Sequence, residues 1–271
     1  MKKPICICGC QKFKVLIQGD YCFFTLQGKP VAFQALQCLD CSMVLTNPPP
    51  YITETSNNEL DSNSTNDEAS LVESSIYRIS RLKSYINAST KVLEIGCSTG
   101  KLVEMVEKMG VQHSVGVEIS MVAATRGKKL GRNIKNMYLQ DCNFPSNYFD
   151  VIQAHHVLEH IPYLSKTLDE IYRILKPRGI FYVTVPRHNS IFVRSPNWMG
   201  WFPQEHFWHF TDQSLCSVLA KHGFELLQLS CPLHSNFLTQ KGKLYHIKAG
   251  LKFIVKKLNM GDTVEAFFIK K

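Results

Sequence analysis

From about residue 71 to residue 186, short apolar runs alternate with stretches whose apolar side chains recur at helical spacing. Leu71, Ile76, Ile79, Leu82 and Ile86 predict a helix over 71–87. Val92–Ile95 predicts a first strand, followed by a helix that starts at Lys101. Val115–Glu118 predicts a second strand, Met137–Cys142 a third that ends in Asp141, Tyr148–Ala154 a fourth and Ile180–Pro186 a fifth. Helices over His155–Ile161 and 165–175 separate the last two. Phe224–Ser230 and Thr263–Ile269 predict a closing antiparallel pair. Strands and helices alternating at this rhythm predict an α/β architecture, with a parallel sheet covered by helices on both faces. Before the last strand, Lys241, Lys243, Lys248, Lys252, Lys256 and Lys257 punctuate an apolar stretch, predicting a basic amphipathic helix near 241–258. Such a helix covers a sheet with its lysines in solvent or rests on a membrane surface; the first reading is the commoner one.

The first fifty residues follow another pattern. Cys6–Ile7–Cys8–Gly9–Cys10 and Cys38–Leu39–Asp40–Cys41 bracket a hairpin-like apolar segment. Two cysteine pairs on tight turns suit a tetrahedral structural zinc, because thiolates are soft ligands. So small a module has little core of its own, and a bound metal stabilises it. The expected ligands are Cys6, Cys8, Cys38 and Cys41. Cys10 competes for the first pair, which is Cys-x-Cys rather than Cys-x-x-Cys, and Cys22 reads as an apolar strand residue. The alternative is a set of free buried thiols. After Pro48–Pro50, residues 53–70 are rich in Asn, Ser, Thr, Asp and Glu and read as a flexible linker or a lid. The expected organisation is therefore a zinc-binding module over 1–50, a polar segment over 51–70 and a main domain over 71–271.

Composition narrows the class. The chain has 271 residues, enough for a full core with an appendage, and 45% hydrophobic residues. No run approaches a membrane span, and the N-terminal residues lack the apolar stretch of a signal peptide, so a cytoplasmic location is expected. Six of the ten cysteines fall within the first 41 residues, which argues for a metal site in a reducing compartment rather than a disulfide framework. The net charge of +9 admits nucleic acid as a partner, but no stretch interleaves arginine with aromatics, and that partner is not expected.

The chemistry concentrates at the strand ends. Glu94–Ile95–Gly96–Cys97–Ser98–Thr99–Gly100 closes the first strand with a carboxylate and then turns on two glycines. Its spacing, Glu-x-Gly-x-x-x-Gly, differs from the Gly-x-Gly-x-x-Gly of dinucleotide binders, and no Lys-Ser/Thr pair follows to hold a triphosphate. An acid before the turn suits a positively charged ligand group such as an amino-acid ammonium. Glu118, 22 residues after Gly96, stands where a carboxylate accepts both ribose hydroxyls.

VLEIGCSTG, VGVEIS, QDCNFP, FDVIQAHHVLEHI, LKPRGIFYVTVP and HGFELLQLS, in this order over roughly residues 70–271, resemble the motifs of class I S-adenosylmethionine-dependent methyltransferases. Ser98 stands where many members have glycine. The resemblance implies a Rossmann-like, doubly wound, seven-stranded sheet. It also implies a cofactor site in which Glu94, Gly96, Cys97 and Gly100 hold the methionine part and Glu118, with Ile119, takes the ribose. Asp141 and Cys142 meet the adenine, and His155 lies beside the sulfonium.

The segment after the fifth strand is rich in histidine and aromatics: Trp198, Trp201 and Glu205–His206–Phe207–Trp208–His209–Phe210–Thr211. It is placed to line an acceptor pocket, and a histidine is a suitable general base near neutral pH. The bland reading is an aromatic cap on the sheet. A cysteine-paired N-terminal module, a class I domain and Glu-His-Phe-x-x-Phe-Thr together resemble the sugar C-methyltransferases and related methyltransferases of surface-polysaccharide pathways, although this chain is shorter. That resemblance implies a sugar or a nucleotide- or lipid-linked sugar as acceptor, with His206 as the base, Glu205 assisting and His209 nearby. His156, Glu159 and His160 form a rival cluster, similar to the cation-binding stretch of quinone-ring O-methyltransferases. His156 replaces the first carboxylate of that stretch and a hard cation prefers oxygen, so the structural role is the expected one over a metal role; a quinone acceptor stays open as an alternative. A degenerate, zinc-stabilised fold acting as a binding or scaffold subunit is the alternative of another class.

Overall fold

The computed structural model describes residues 4–23, 28–50, 68–190, 193, 195–233 and 260–271. The basic segment near 241–258 lies outside them, as do residues 51–67 of the polar segment. The last three residues of that segment already belong to α1 (Glu68–Leu82), so the expected linker ends earlier than residue 70.

Seven strands form the central sheet: β4 (Lys91–Ile95), β5 (His113–Val117), β6 (Ile134–Lys135), β7 (Phe149–His155), β8 (Leu175–Pro186), β10 (Phe224–Ser230) and β11 (Thr263–Lys270). Their spatial order is β10-β11-β8-β7-β4-β5-β6. β6, β5, β4, β7 and β8 run parallel, whereas β11 is antiparallel to both β8 and β10. The helices are α2 (Lys101–Lys108), α3 (Met121–Lys129), α4 (Leu164–Ile174) and α5 (Asp212–Lys221). Period-two alternation fills two faces. Leu93, Ile152, Phe181 and Val183 pack with Leu168 and Ile171 of α4 and Leu215 and Leu219 of α5. Val92, Val151, Tyr182 and Phe267 pack with Leu82 of α1 and Leu102 and Val106 of α2. A sheet buried on both faces explains why its strands read as continuous apolar runs.

Four expectations need correction. The third strand is Ile134–Lys135 rather than 137–142. Ile134 is buried against Cys97, Val103 and Ala124, while Met137 and Tyr138 face solvent. Leu139–Cys142 instead winds into a 3₁₀ turn that buries Leu139 and Cys142. Residues 155–161 form no helix: His155 ends β7, His156 has φ 53° in the left-handed region, and only Leu158–His160 makes a 3₁₀ turn. The stripe on α1 also differs, since Ile76 is exposed and Arg78 is buried, for an electrostatic reason given below. Cys22 lies exposed just beyond β1 rather than within a strand.

The N-terminal residues form an antiparallel meander of β1 (Phe13–Tyr21), β2 (Val31–Cys38) and β3 (Val44–Asn47). It is completed by β9 (Trp208–His209), which pairs with β3 through Val44↔His209 and Leu45↔Trp208. The module is thus not closed on itself. Leu36, Met43 and Leu45 share one apolar cluster with the main sheet.

Candidate functional site

β4 neighbours β5 on one side and β7 on the other, so the chain reverses its winding at the C-terminal end of β4. In open α/β sheets that crevice is where ligands bind. The Gly96–Gly100 turn lies over it. Gly96 N and Cys97 N both donate to Val117 O, at 2.8 and 3.1 Å, hanging the turn on the end of β5. Gly96 has φ 66°, and a Cβ there would strike Val157, so only glycine fits. Ser98 also adopts the left-handed region, with φ 50°.

Glu94 is buried beneath the turn, and its Oε1 accepts from Arg78 Nη1 at 2.6 Å. Burial pushes the Glu94 carboxyl up, against the pull of Arg78. Gln153 is its register partner on β7, so the two side chains point to the same face. Glu94 Oε2 and both side-chain polar atoms of Gln153 are buried and make no hydrogen bond of ordinary length among the described residues, although Gln153 stands near enough to help hold the Glu94 carboxyl down. Three such atoms side by side mark a place where a polar ligand group belongs. Sequence reasoning found Glu94 but missed Arg78 and Gln153. Arg78 carried no signal beyond its type, because its partner lies on another element.

Glu118 sits at the end of β5. Its Oε2 accepts from Ser98 N and its Oε1 from Ser120 N, both at 2.8 Å, which ties the second acidic position to the glycine turn. Ile119 beside it is exposed. Asp141 is exposed on the 3₁₀ turn, and the neighbouring Cys142 is buried, its Sγ donating to Tyr138 O at 3.5 Å. His155 closes β7 with Nδ1 bonded to Thr184 Oγ1. Glu94, Gly96, Cys97, Gly100, Glu118 and His155 therefore lie at the C-terminal ends of β4, β5 and β7 and in the turn after β4.

The acceptor-side candidates form a second constellation. The His155 and His156 rings lie 4.7 Å apart, and the His160 and His206 rings 4.5 Å apart. His206 is buried, and its Nδ1 donates to Gly200 O at 2.9 Å. Burial, with the His160 ring beside it, pushes His206 down to about 3, so the ring is neutral near pH 7. Glu205 Oε2 lies 3.4 Å from His160 Nδ1. The carboxylate grouped with His206 is Glu159. His209 lies beside His206, the two rings 6.1 Å apart. Thr46 Oγ1 donates to His206 O at 2.6 Å, so its one hydroxyl proton is committed and His209 Nε2 must donate to it at 2.8 Å.

The four expected cysteine ligands also meet. One sulfur from each of Cys6, Cys8, Cys38 and Cys41 lies within 4.8 Å of the others. Cys6 and Cys41 are 3.4 Å apart and Cys8 and Cys38 3.6 Å. Sulfurs around a tetrahedral zinc with ~2.3 Å bonds stand about 3.8 Å apart, so the set fits that ion. Burial raises the Cys38 thiol, but the Cys41 and Asp40 backbone amides and the neighbouring thiols outweigh it and bring it to about 7. Cys10 is not part of this group; its Sγ bonds the backbone of Lys12.

A seven-stranded sheet of this order, with a carboxylate-flanked glycine turn at its switch point, defines a class I methyltransferase fold. The model of the methyltransferase domain matches residues 73–229, and the chain belongs to that family. A sterol 24-C-methyltransferase of Gibberella zeae is 33% identical over 106 residues, covering 36% of this chain and 28% of that protein. A demethylmenaquinone methyltransferase of Listeria monocytogenes is 30% identical over 125 residues, or 43% of this chain and 50% of that protein. The match thus spans less than a third of the sterol enzyme and half of the quinone enzyme. Among solved structures, an S-adenosylmethionine-dependent methyltransferase of Archaeoglobus fulgidus superposes with a TM-score of 0.54 at 20% identity, covering 72% of this chain and 92% of that one. One of Mesorhizobium loti gives 0.51 at 12% identity, covering 70% and 96%.

Proposed function

We propose that this chain transfers a methyl group from S-adenosylmethionine to a small-molecule acceptor, with a sugar or sugar-linked molecule as the acceptor class. The observation that carries this is the trio of buried polar atoms on Glu94 and Gln153, without hydrogen bonds of ordinary length among the described residues, under the glycine turn at the C-terminal end of the sheet. The cofactor supplies an electrophilic methyl group. Glu94, Gly96, Cys97 and Gly100 hold its amino-acid part, Glu118 and Ile119 its ribose, and Asp141 and Cys142 its adenine. Ser98 N and Ser120 N orient the Glu118 carboxylate for that purpose.

On the acceptor side, alignment supplies much of the rate, and a hydroxyl or acidic C–H must also lose a proton. His206 is the candidate for that proton. Its Nδ1–H is fixed on Gly200 O, so Nε2 keeps a lone pair. Glu205 orients His160, and His209 braces the loop through Thr46. The sugar reading rests on the Glu205–Thr211 pattern and the cysteine cluster together. A quinone ring is the second acceptor class, favoured by the Listeria relative. Zinc in the cysteine cluster serves structure rather than chemistry, because four protein ligands leave no open position.

The test is label transfer from methyl-labelled S-adenosylmethionine to a panel of nucleotide sugars and quinone precursors. We expect label on a sugar nucleotide, with turnover lost but cofactor affinity kept in His206→Ala. Normal turnover in that variant removes His206 from the chemistry, and label only on quinone precursors overturns the sugar assignment. Cofactor binding without transfer to any member points to the scaffold alternative.

A further inference from the structure

The structure assigns a divalent transition-metal site, distinct from the cysteine cluster, to Glu159, His160 and His206. One ligand atom from each lies within 4.8 Å of the others. Neighbouring donors of a tetrahedral ion with ~2.0–2.2 Å bonds stand about 3.3–3.6 Å apart, so the three side chains turn inward to close the set.

Each ligand already has the outer partner that ligation requires. His206 Nδ1 donates to Gly200 O at 2.9 Å, which leaves Nε2 as the nitrogen with a lone pair. His160 Nδ1 lies 3.4 Å from Glu205 Oε2, which places a carboxylate beside that ring. Glu159 Oε1 accepts from His156 Nδ1 at 3.2 Å. Carboxylate or carbonyl partners of this kind are what orient metal-binding imidazoles. The independent sign is Glu159 Oε2. The side chain is 1% exposed, and this oxygen has no partner among the described residues. A buried carboxylate oxygen left unpaired is costly, and a cation is the partner that removes the cost.

The backbone fixes the two halves of the site to each other. Phe207 N donates to Glu159 O at 2.8 Å, and Trp208 Nε1 donates to Ile161 O at 2.7 Å. Two imidazoles and one carboxylate suit zinc or ferrous iron rather than magnesium, which prefers oxygen donors. Three protein ligands leave a position open, as in catalytic rather than structural sites. This inference rests on the reading of the cluster as the acceptor side. With an ion bound, His206 Nε2 is a ligand in place of the base of the metal-free reading; the ion lowers the pKa of a bound acceptor oxygen, and the proton passes to solvent water.

The test is a cobalt titration of the full chain after removal of metal by a chelator, followed by absorption spectroscopy and elemental analysis. Thiolate-bound cobalt is counted by its sulfur charge-transfer band, and nitrogen- and oxygen-bound cobalt by weak visible bands alone. We expect one ion per chain without the charge-transfer signature. It is lost in Glu159→Gln and in His206→Ala, and bound about 10–100-fold more weakly in Glu205→Gln, with the thiolate band unchanged. Glu205 is partly exposed, so its variant keeps the test alive if a buried substitution prevents folding. Finding cobalt only under the thiolate band, or the same second ion in all three variants, overturns the site. Calorimetry with S-adenosylmethionine on the same samples separates the two readings, because failure of the metal site leaves cofactor binding intact.

Discussion

Arg78 and Glu94 form a buried ion pair, with side chains 9% and 3% exposed. The pair ties α1 to the strand that carries the glycine turn and orients the remaining Glu94 oxygen. Removing one partner of such a pair leaves an uncompensated buried charge, which costs about 3–5 kcal/mol. Arg78→Leu should therefore lose about 3 kcal/mol in denaturant unfolding; a loss below about 1 kcal/mol means that Glu94 is neutral or solvated in the folded state. At this scale the sequence was informative where a residue stands next to its own motif. Glu94 and Glu118 were legible because each ends a strand. Arg78, Gln153 and the grouping of Glu159 with His206 were not, because they are brought together from different elements. Glu205, adjacent to His206 in sequence, has its carboxylate 3.4 Å from His160, a contact its own motif does not announce.

Among the elements, α1, α2 and the approach to β6 are joined by a charge network. Arg132 reaches Glu68 at 2.8 Å and Glu104 at 2.6 Å, while Lys101 reaches Glu68 at 2.6 Å and Glu104 at 3.0 Å. Lys108, then Lys101 and Arg132, bring Glu104 down to about 2, with burial opposing them, and Lys101 and Arg132 lower Glu68. Folded-state values below the ordinary carboxylate value of about 4.3 stabilise the fold above that pH. That contribution is lost as pH falls from about 4 to about 2. The urea midpoint of the wild type should drop across this interval, and Glu104→Gln should flatten the drop. Identical pH profiles would show that the network contributes nothing at this scale. Element type was legible where periodicity is strong, as in β4, β7, α4 and the closing pair. It failed at Met137–Cys142, where exposed apolar residues imitate a strand, and at His155–Ile161, where a left-handed His156 breaks the helix.

In the whole molecule, the N-terminal meander and the methyltransferase sheet share a core and are stitched by β9. Thr46 and His209 meet across 163 residues of sequence. The cysteine spacing foretold four converging thiols, but nothing local foretold that a two-residue strand from the acceptor-side loop would complete the first sheet. Trp208 and His209, expected to line a pocket, are ladder residues of the first sheet. The loop that bears His206 is thus held from both sides, by β3 and by the turn after β7. Among the described residues no helix is long and apolar enough to cross a membrane. The central claim is that the crevice at the end of β4 binds S-adenosylmethionine through Glu94 and Glu118. Titration calorimetry tests it most directly. We predict saturable one-site binding by the wild type, weakened about 10–100-fold in a folded Glu118→Ala variant. No binding at millimolar cofactor, or unchanged affinity in that variant, would contradict the claim.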